Sequence, residues 1–127
     1  MGNIQNIQKV HFEDLQNSIN HNNEVILINT LKSINQSCLI YNTIQIDSEE
    51  DIINNLLKKN KNKKIIIYGK NYNDITVYKK YNQLKQLGFT NIYVYPGGIF
   101  EWLCLQDIFG TELFKTKGQE LNILKFK

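Results

Sequence analysis

Three short apolar runs constrain this chain more than anything else in it. "VILINT" (Val25–Thr30), "KKIIIYG" (Lys63–Gly69) and "NIYVYPGG" (Asn91–Gly98) are dense in isoleucine, valine and tyrosine. They lack the strict alternation of a strand with one wet face. Strands of this kind are buried on both sides, as in a parallel sheet covered by helices.

The segments between the runs carry helical spacing. "VHFEDLQNSI" sets Val10, Leu15 and Ile19 on one side. "DSEEDIINNLLKKN" predicts a helix with Ser48 as N-cap, Asp51 as its acidic capping partner, Ile52, Ile53, Leu56 and Leu57 inward, and lysines at the end. "DITVYKKYNQLKQLGF" predicts another, with Asp74 as N-cap, Tyr78, Tyr81, Leu84 and Leu87 at three-residue steps, and Gly88 as the stop. "IFEWLCLQDIFG" places Ile99, Trp102, Leu103 and Leu105 on a helix that ends at Gly110. "CLIYNTIQI" (Cys38–Ile46) reads as a further β-rich run, and the tail "ELNILKFK" as a strand or an extended arm. Strands separated by helices of this length predict an α/β fold, a parallel sheet with right-handed crossovers and helices on both faces.

At 127 residues the chain is expected to be one domain, with a core of about residues 8–110 and a tail from 111 to 127. No stretch approaches the ~20 apolar residues that span a bilayer. The start has no secretory pattern, and Cys38 and Cys104 are too few for a disulfide framework, so a cytoplasmic, reducing setting is expected. Both thiols read as packing residues. "MGNIQN" opens like a myristoylation signal, but Asn6 stands where serine or threonine is preferred. A membrane-associated or virion structural role is therefore the weakest reading.

The net charge is +3, and all fifteen basic residues are lysines. Bidentate readout of bases leans on the arginine fork, so sequence-specific nucleic-acid binding is not expected. "KKNKNKK" (Lys58–Lys64) reads as a solvated helix end and loop. His11 and His21 lie without a ligand cluster, so no metal and no cofactor are expected, and Ser37 has no triad partner at motif spacing.

"YNQLKQLGFTNIYVYPGGIFEW" (Tyr81–Trp102) resembles the ending of a rhodanese-like domain: a helix closing in Leu-Gly-Phe, a strand opening Asn-Ile-Tyr, a double glycine and a tryptophan. "EVILINT" resembles that family's early strand, with Asn29 where an aspartate is expected and Leu31 near its arginine. The resemblance covers roughly Gln8 to Gly110 and implies a five-stranded parallel sheet flanked by helices. "GGIFEWLCLQDIFGTELF" also resembles single-domain members from large cytoplasmic DNA viruses of protists.

In active members of the family, the strand corresponding to "IIIY" leads into a loop "CRxGxR". The loop's backbone N–H groups and arginine hold a cysteine persulfide while sulfur moves from donor to acceptor. That chemistry needs a thiolate in positive potential. By this resemblance Gly69 stands at the cysteine, Lys70 at the first basic position, Tyr72 at the glycine and Asp74 at the final arginine. The resemblance therefore implies a catalytically inactive member acting as a protein-binding or scaffold module for an unidentified protein partner. Its binding residues would be the equivalent loop, Gly69, Lys70, Asn71, Tyr72, Asn73 and Asp74. Tyr72 is the leading candidate contact, an aromatic at the tip of a polar loop. The alternative enzyme reading is a sulfurtransferase that uses a thiol elsewhere in the chain.

Overall fold

The computed structural model describes residues 6–21 and 23–127. In chain order it contains α1 (Phe12–Ile19), β1 (Val25–Asn29), β2 (Leu39–Ile40), α2 (Ile46–Lys59), β3 (Lys64–Tyr68), α3 (Thr76–Gln86), β4 (Ile92–Tyr95), α4 (Gly98–Phe109) and β5 (Thr116–Lys117). Short 3₁₀ turns occupy Ser33–Asn35 and Ile123–Phe126. The "MGNIQN" motif lies outside the described residues apart from Asn6.

The three apolar runs become β1, β3 and β4, which pair in parallel in the order β1-β3-β4. Register sets Asn29 beside Tyr68 and Tyr68 beside Tyr95, so the carboxyl ends of all three strands finish level. Five strands were expected, and the parallel sheet has three. Each edge carries one parallel bridge instead, Lys9 to Val94 and Leu27 to Thr43. The reason on the Thr43 side is local. Asn42 has φ 70°, which breaks the extended run predicted for Cys38–Ile46 and leaves β2 two residues long. β2 pairs antiparallel with β5, outside the main sheet.

Side chains alternate between two apolar layers. Leu27, Ile66, Tyr68 and Tyr95 pack with Leu15 and Ile19 of α1, with Ile99, Trp102 and Leu103 of α4, and with Phe114 and Phe126. Ile28, Ile65, Ile67, Ile92 and Val94 pack with Ile53 of α2 and with Val77, Tyr81 and Leu84 of α3. Both faces are thus covered, which accounts for strands that are apolar throughout. Trp102 is fully buried, and its indole N–H donates to the Lys115 carbonyl at 3.0 Å.

Two helix starts differ from expectation. α2 begins at Ile46 with Gln45 as N-cap, so Ser48 and Asp51 lie inside the helix rather than capping it. α3 begins at Thr76 with Ile75 as N-cap, so Asp74 precedes the cap position. The tail is neither a long strand nor a loose arm: after β5 it folds back through a 3₁₀ turn that buries Phe126.

Candidate functional site

β3 delivers the chain to the carboxyl edge of the sheet, where it turns through Gly69–Asp74 into α3. This edge is where open parallel sheets collect ligands. Gly69 is buried, and a Cβ built on it would fall 2.5 Å from Asp74 Oδ2, 2.8 Å from Thr30 Oγ1 and 2.9 Å from Val77 Cγ1. Glycine is needed because the space is filled.

What fills it is chiefly the Asp74 carboxylate. Oδ2 accepts the Lys70 N–H at 2.8 Å, and Oδ1 accepts the Thr76 N–H at 3.0 Å. The Thr76 hydroxyl lies 2.6 Å from Oδ1 and 2.7 Å from Thr30 Oγ1. An anion held by backbone N–H groups at the mouth of a helix is a familiar arrangement. Here the chain supplies that anion from its own loop.

The rest of the loop is tied down on two sides. The Gly69 and Lys70 carbonyls accept the N–H groups of Ile99 and Phe100, at 2.9 and 3.0 Å, in the first turn of α4. This approach requires Gly98: it has φ +67°, and a Cβ there would lie 2.6 Å from the Gly69 carbonyl oxygen. Asn71 accepts the Asn73 N–H on its side-chain oxygen and donates from Nδ2 to the Phe126 carbonyl at 2.9 Å, which fastens the tail to the loop. Tyr72 is left exposed, with 66% of its surface free, and Ile75 is similarly exposed at 63%.

The rhodanese-like domain family profile matches residues 12–104. The chain belongs to the rhodanese-like domain family. No curated protein matches it in sequence. Among solved structures it is similar to the BH2092 protein of Bacillus halodurans, at 18% identity over 94% of this chain and 90% of that one, with a TM-score of 0.66. It is also similar to a rhodanese-like domain from Anabaena sp., at 17% identity, 87% and 79% coverage and a TM-score of 0.61. The single-domain sulfurtransferase RDL2 of Saccharomyces cerevisiae is 17% identical, with 81% and 94% coverage and a TM-score of 0.56. At these identities the likeness shows the fold alone.

In this rhodanese-like chain neither thiol belongs to the loop. Cys38 is buried just before β2, and burial is the largest cause of its raised pKa, outweighing a hydrogen bond with Thr116. Cys104 is half-buried on α4, and burial followed by the charges of Asp107 and Glu101 also raises its pKa. Both environments favour the neutral thiol over the nucleophilic thiolate. Asn29 is 3% exposed; its Oδ1 accepts the Leu31 N–H and the Gln36 Nε2, and its Nδ2 donates to Gln36 Oε1. With buried Leu31 where a cation would fall, a neutral amide is the form that can be satisfied there. His11 and His21 are exposed, and no cluster of metal-binding side chains occurs among the described residues. No helix among them is long and apolar enough to cross a membrane.

Sequence reasoning missed two residues beside the loop. Tyr95 ends β4 and is 1% exposed; its hydroxyl makes no well-formed hydrogen bond, though the Glu101 carboxylate stands close enough to couple to it. Burial first, then the neighbouring Glu101 carboxylate and Tyr72, hold its phenol far above the ordinary range. Glu101 lies one turn into α4 and folds back over Gly97 so tightly that a Cβ on Gly97 would collide with it. The signal in the sequence was the spacing Gly97 to Glu101, a glycine one helical turn before a carboxylate.

Proposed function

We propose that this rhodanese-like domain is catalytically inactive and acts as a protein-binding module through the edge that carries Gly69–Asp74. One observation carries the reading. The position that opens the loop bears no side chain, and the space beside it is occupied by the Asp74 carboxylate, hydrogen-bonded to the Lys70 N–H. A sulfur nucleophile would need that space, and its anionic substrate would need the amide. Asp74 repels both. The exposed Tyr72 and Ile75 suit a protein contact, since tyrosine supplies large contact area at low entropic cost. Free Cys38 and Cys104 suit a reducing cytoplasm.

The test has two arms. In cyanide-coupled assays with thiosulfate or mercaptopyruvate, sulfur transfer is expected at buffer level. Turnover that disappears in Cys38→Ser or Cys104→Ser would instead establish the sulfurtransferase reading. In affinity capture, Tyr72→Ala and Lys70→Glu are expected to reduce partner recovery while shifting stability by less than about 0.5 kcal/mol. Full recovery by both variants would move the interaction surface away from this loop.

A further inference from the structure

We propose that the outer face at the end of α4 docks a basic amphipathic helix of another protein. The only polar side chains of α4 are Glu101, Gln106 and Asp107. A helix this apolar on every side belongs inside a protein. Only one side of it meets the sheet, through the buried Ile99, Trp102 and Leu103. The tail's 3₁₀ turn packs on part of the rest, and the cover ends before the last turn. Phe100, Cys104 and Leu105 are half-buried, whereas Ile108 is 71% and Phe109 57% exposed. Leu113, 58% exposed, extends the same patch onto the turn that follows. Its place is fixed by contacts: the Phe114 ring lies 6.2 Å from Phe109 and 5.6 Å from Phe12 of α1, and Gln16 of α1 donates to the Leu113 carbonyl at 2.8 Å.

The charge around this patch selects its occupant. Asp107, Glu112 and Glu13 are exposed beside Ile108, Leu113 and Phe12 in the chain, and none of them enters either ion pair found among the described residues. No lysine occurs from Gln86 to Phe114; Lys115 and His11 stand at the borders of the patch in sequence. Neither α1 nor α4 holds a lysine, and the helical lysines all lie on α2 and α3. The negative end of the α4 dipole is therefore left without a cation in its last turn. An apolar face with such a rim repels nucleic acid and anionic lipid. It suits apolar anchors flanked by lysine or arginine, the pattern of a basic amphipathic helix. A second copy fits poorly, because its densest basic run, Lys58–Lys64, contains no apolar side chain. This face is also distinct from the Gly69–Asp74 loop: α4 meets the loop at Ile99, and Ile108 lies about 14 Å further along the helix axis.

The experiment is an ¹⁵N-¹H NMR titration with three short amidated peptides: one of leucine and lysine with the leucines at helical spacing, a twin with glutamate for lysine, and a twin with serine for leucine. The leucine–lysine peptide is expected to shift the amides of Asp107, Ile108, Phe109 and Leu113 saturably, and both twins to leave them in place. Ile108→Ser is expected to weaken binding roughly tenfold. Asp107→Lys should weaken it several-fold, and both substitutions fall at exposed positions where the spectrum should remain that of the folded protein. Equal response to either twin, no response to any peptide, shifts confined to other surfaces, or unchanged affinity in both variants would overturn the proposal. Sedimentation equilibrium of the free chain is expected to give a monomer. Self-association that Ile108→Ser abolishes would put a second copy on this face and overturn the stated occupant.

Discussion

Gly69 and Asp74 should behave as one unit. In Gly69→Ala the new methyl would sit 2.5 Å from Asp74 Oδ2, 2.8 Å from Thr30 Oγ1 and 2.9 Å from Val77 Cγ1. Overpacking of this sort costs about 1–3 kcal/mol. Pushing the carboxylate aside also strains its bonds from the Lys70 and Thr76 N–H groups, so the expected total is about 2–4 kcal/mol. For a chain of this size that lowers Tm by on the order of 10 °C. Asp74→Ala alone should cost about 1–2 kcal/mol, the worth of a lost helix-start bond. With Asp74→Ala in place the shortest contact is gone, so adding Gly69→Ala should cost about 1 kcal/mol less, or better, than it does in the wild type. Urea melts of the four proteins read this coupling directly. If the two substitutions add within about 0.5 kcal/mol, the carboxylate does not fill the Gly69 space and the reasoning fails. The same geometry predicts that Gly69→Cys by itself remains inert toward thiosulfate. Gly69→Cys with Asp74→Arg should exceed it, because the carboxylate both blocks the sulfur and raises its pKa.

Trp102→Ala should cost about 3–5 kcal/mol, since the ring is fully buried, edge-on to Tyr95 and Phe114, and hydrogen-bonded to the Lys115 carbonyl; a thermal melt unchanged from wild type would refute this packing. Alkaline pH should also destabilise the fold. Cys38, Cys104, Tyr68 and Tyr95 all have raised pKa values in the folded state, so their contribution is whole below the unfolded values and is lost as pH rises through the folded ones. Tm should therefore start to fall above about pH 8.5 and fall faster above about pH 10. Cys38→Ser and Tyr95→Phe should flatten the decline, and a flat Tm across that window would contradict the burial assigned to these groups.

The sheet was legible because its runs are apolar on both faces, and a parallel sheet under two helical layers is what such runs can build. Trp102 and Gly88 were legible for the same kind of reason, one from helical spacing and the other from a turn that needs positive φ. The errors fall where long-range or irregular geometry decides. The β-rich run from Cys38 was broken by Asn42 in the left-handed region, which no periodicity announces. Ser48 lost its capping role because Ile46 and Asp47 already start the helix. At the site, the loop itself was readable from its strand-to-helix order. The role of Asp74 as an internal anion was not, because its carboxylate spans the turn, reaching back to the Lys70 N–H as well as forward to the Thr76 N–H. Tyr95 and Glu101 went unnoticed because one reads as a strand end and the other as a polar helix position.

The single bridges at the sheet's edges bear on how another protein can attach. Long exposed edge strands offer a row of unpaired backbone groups, which invites strand addition and runaway association. In this chain Gln8 and Val10 take up the Val94 backbone groups on one side, and Ile44 takes the Leu27 carbonyl on the other. Each covering segment touches the sheet only briefly and then leaves it, at Phe12 into α1 and at Ile46 into α2. Neither side therefore presents a template long enough to extend. A partner that arrives here has to be chosen by side-chain chemistry, and a β-rich aggregate would first have to peel away one of these short covers.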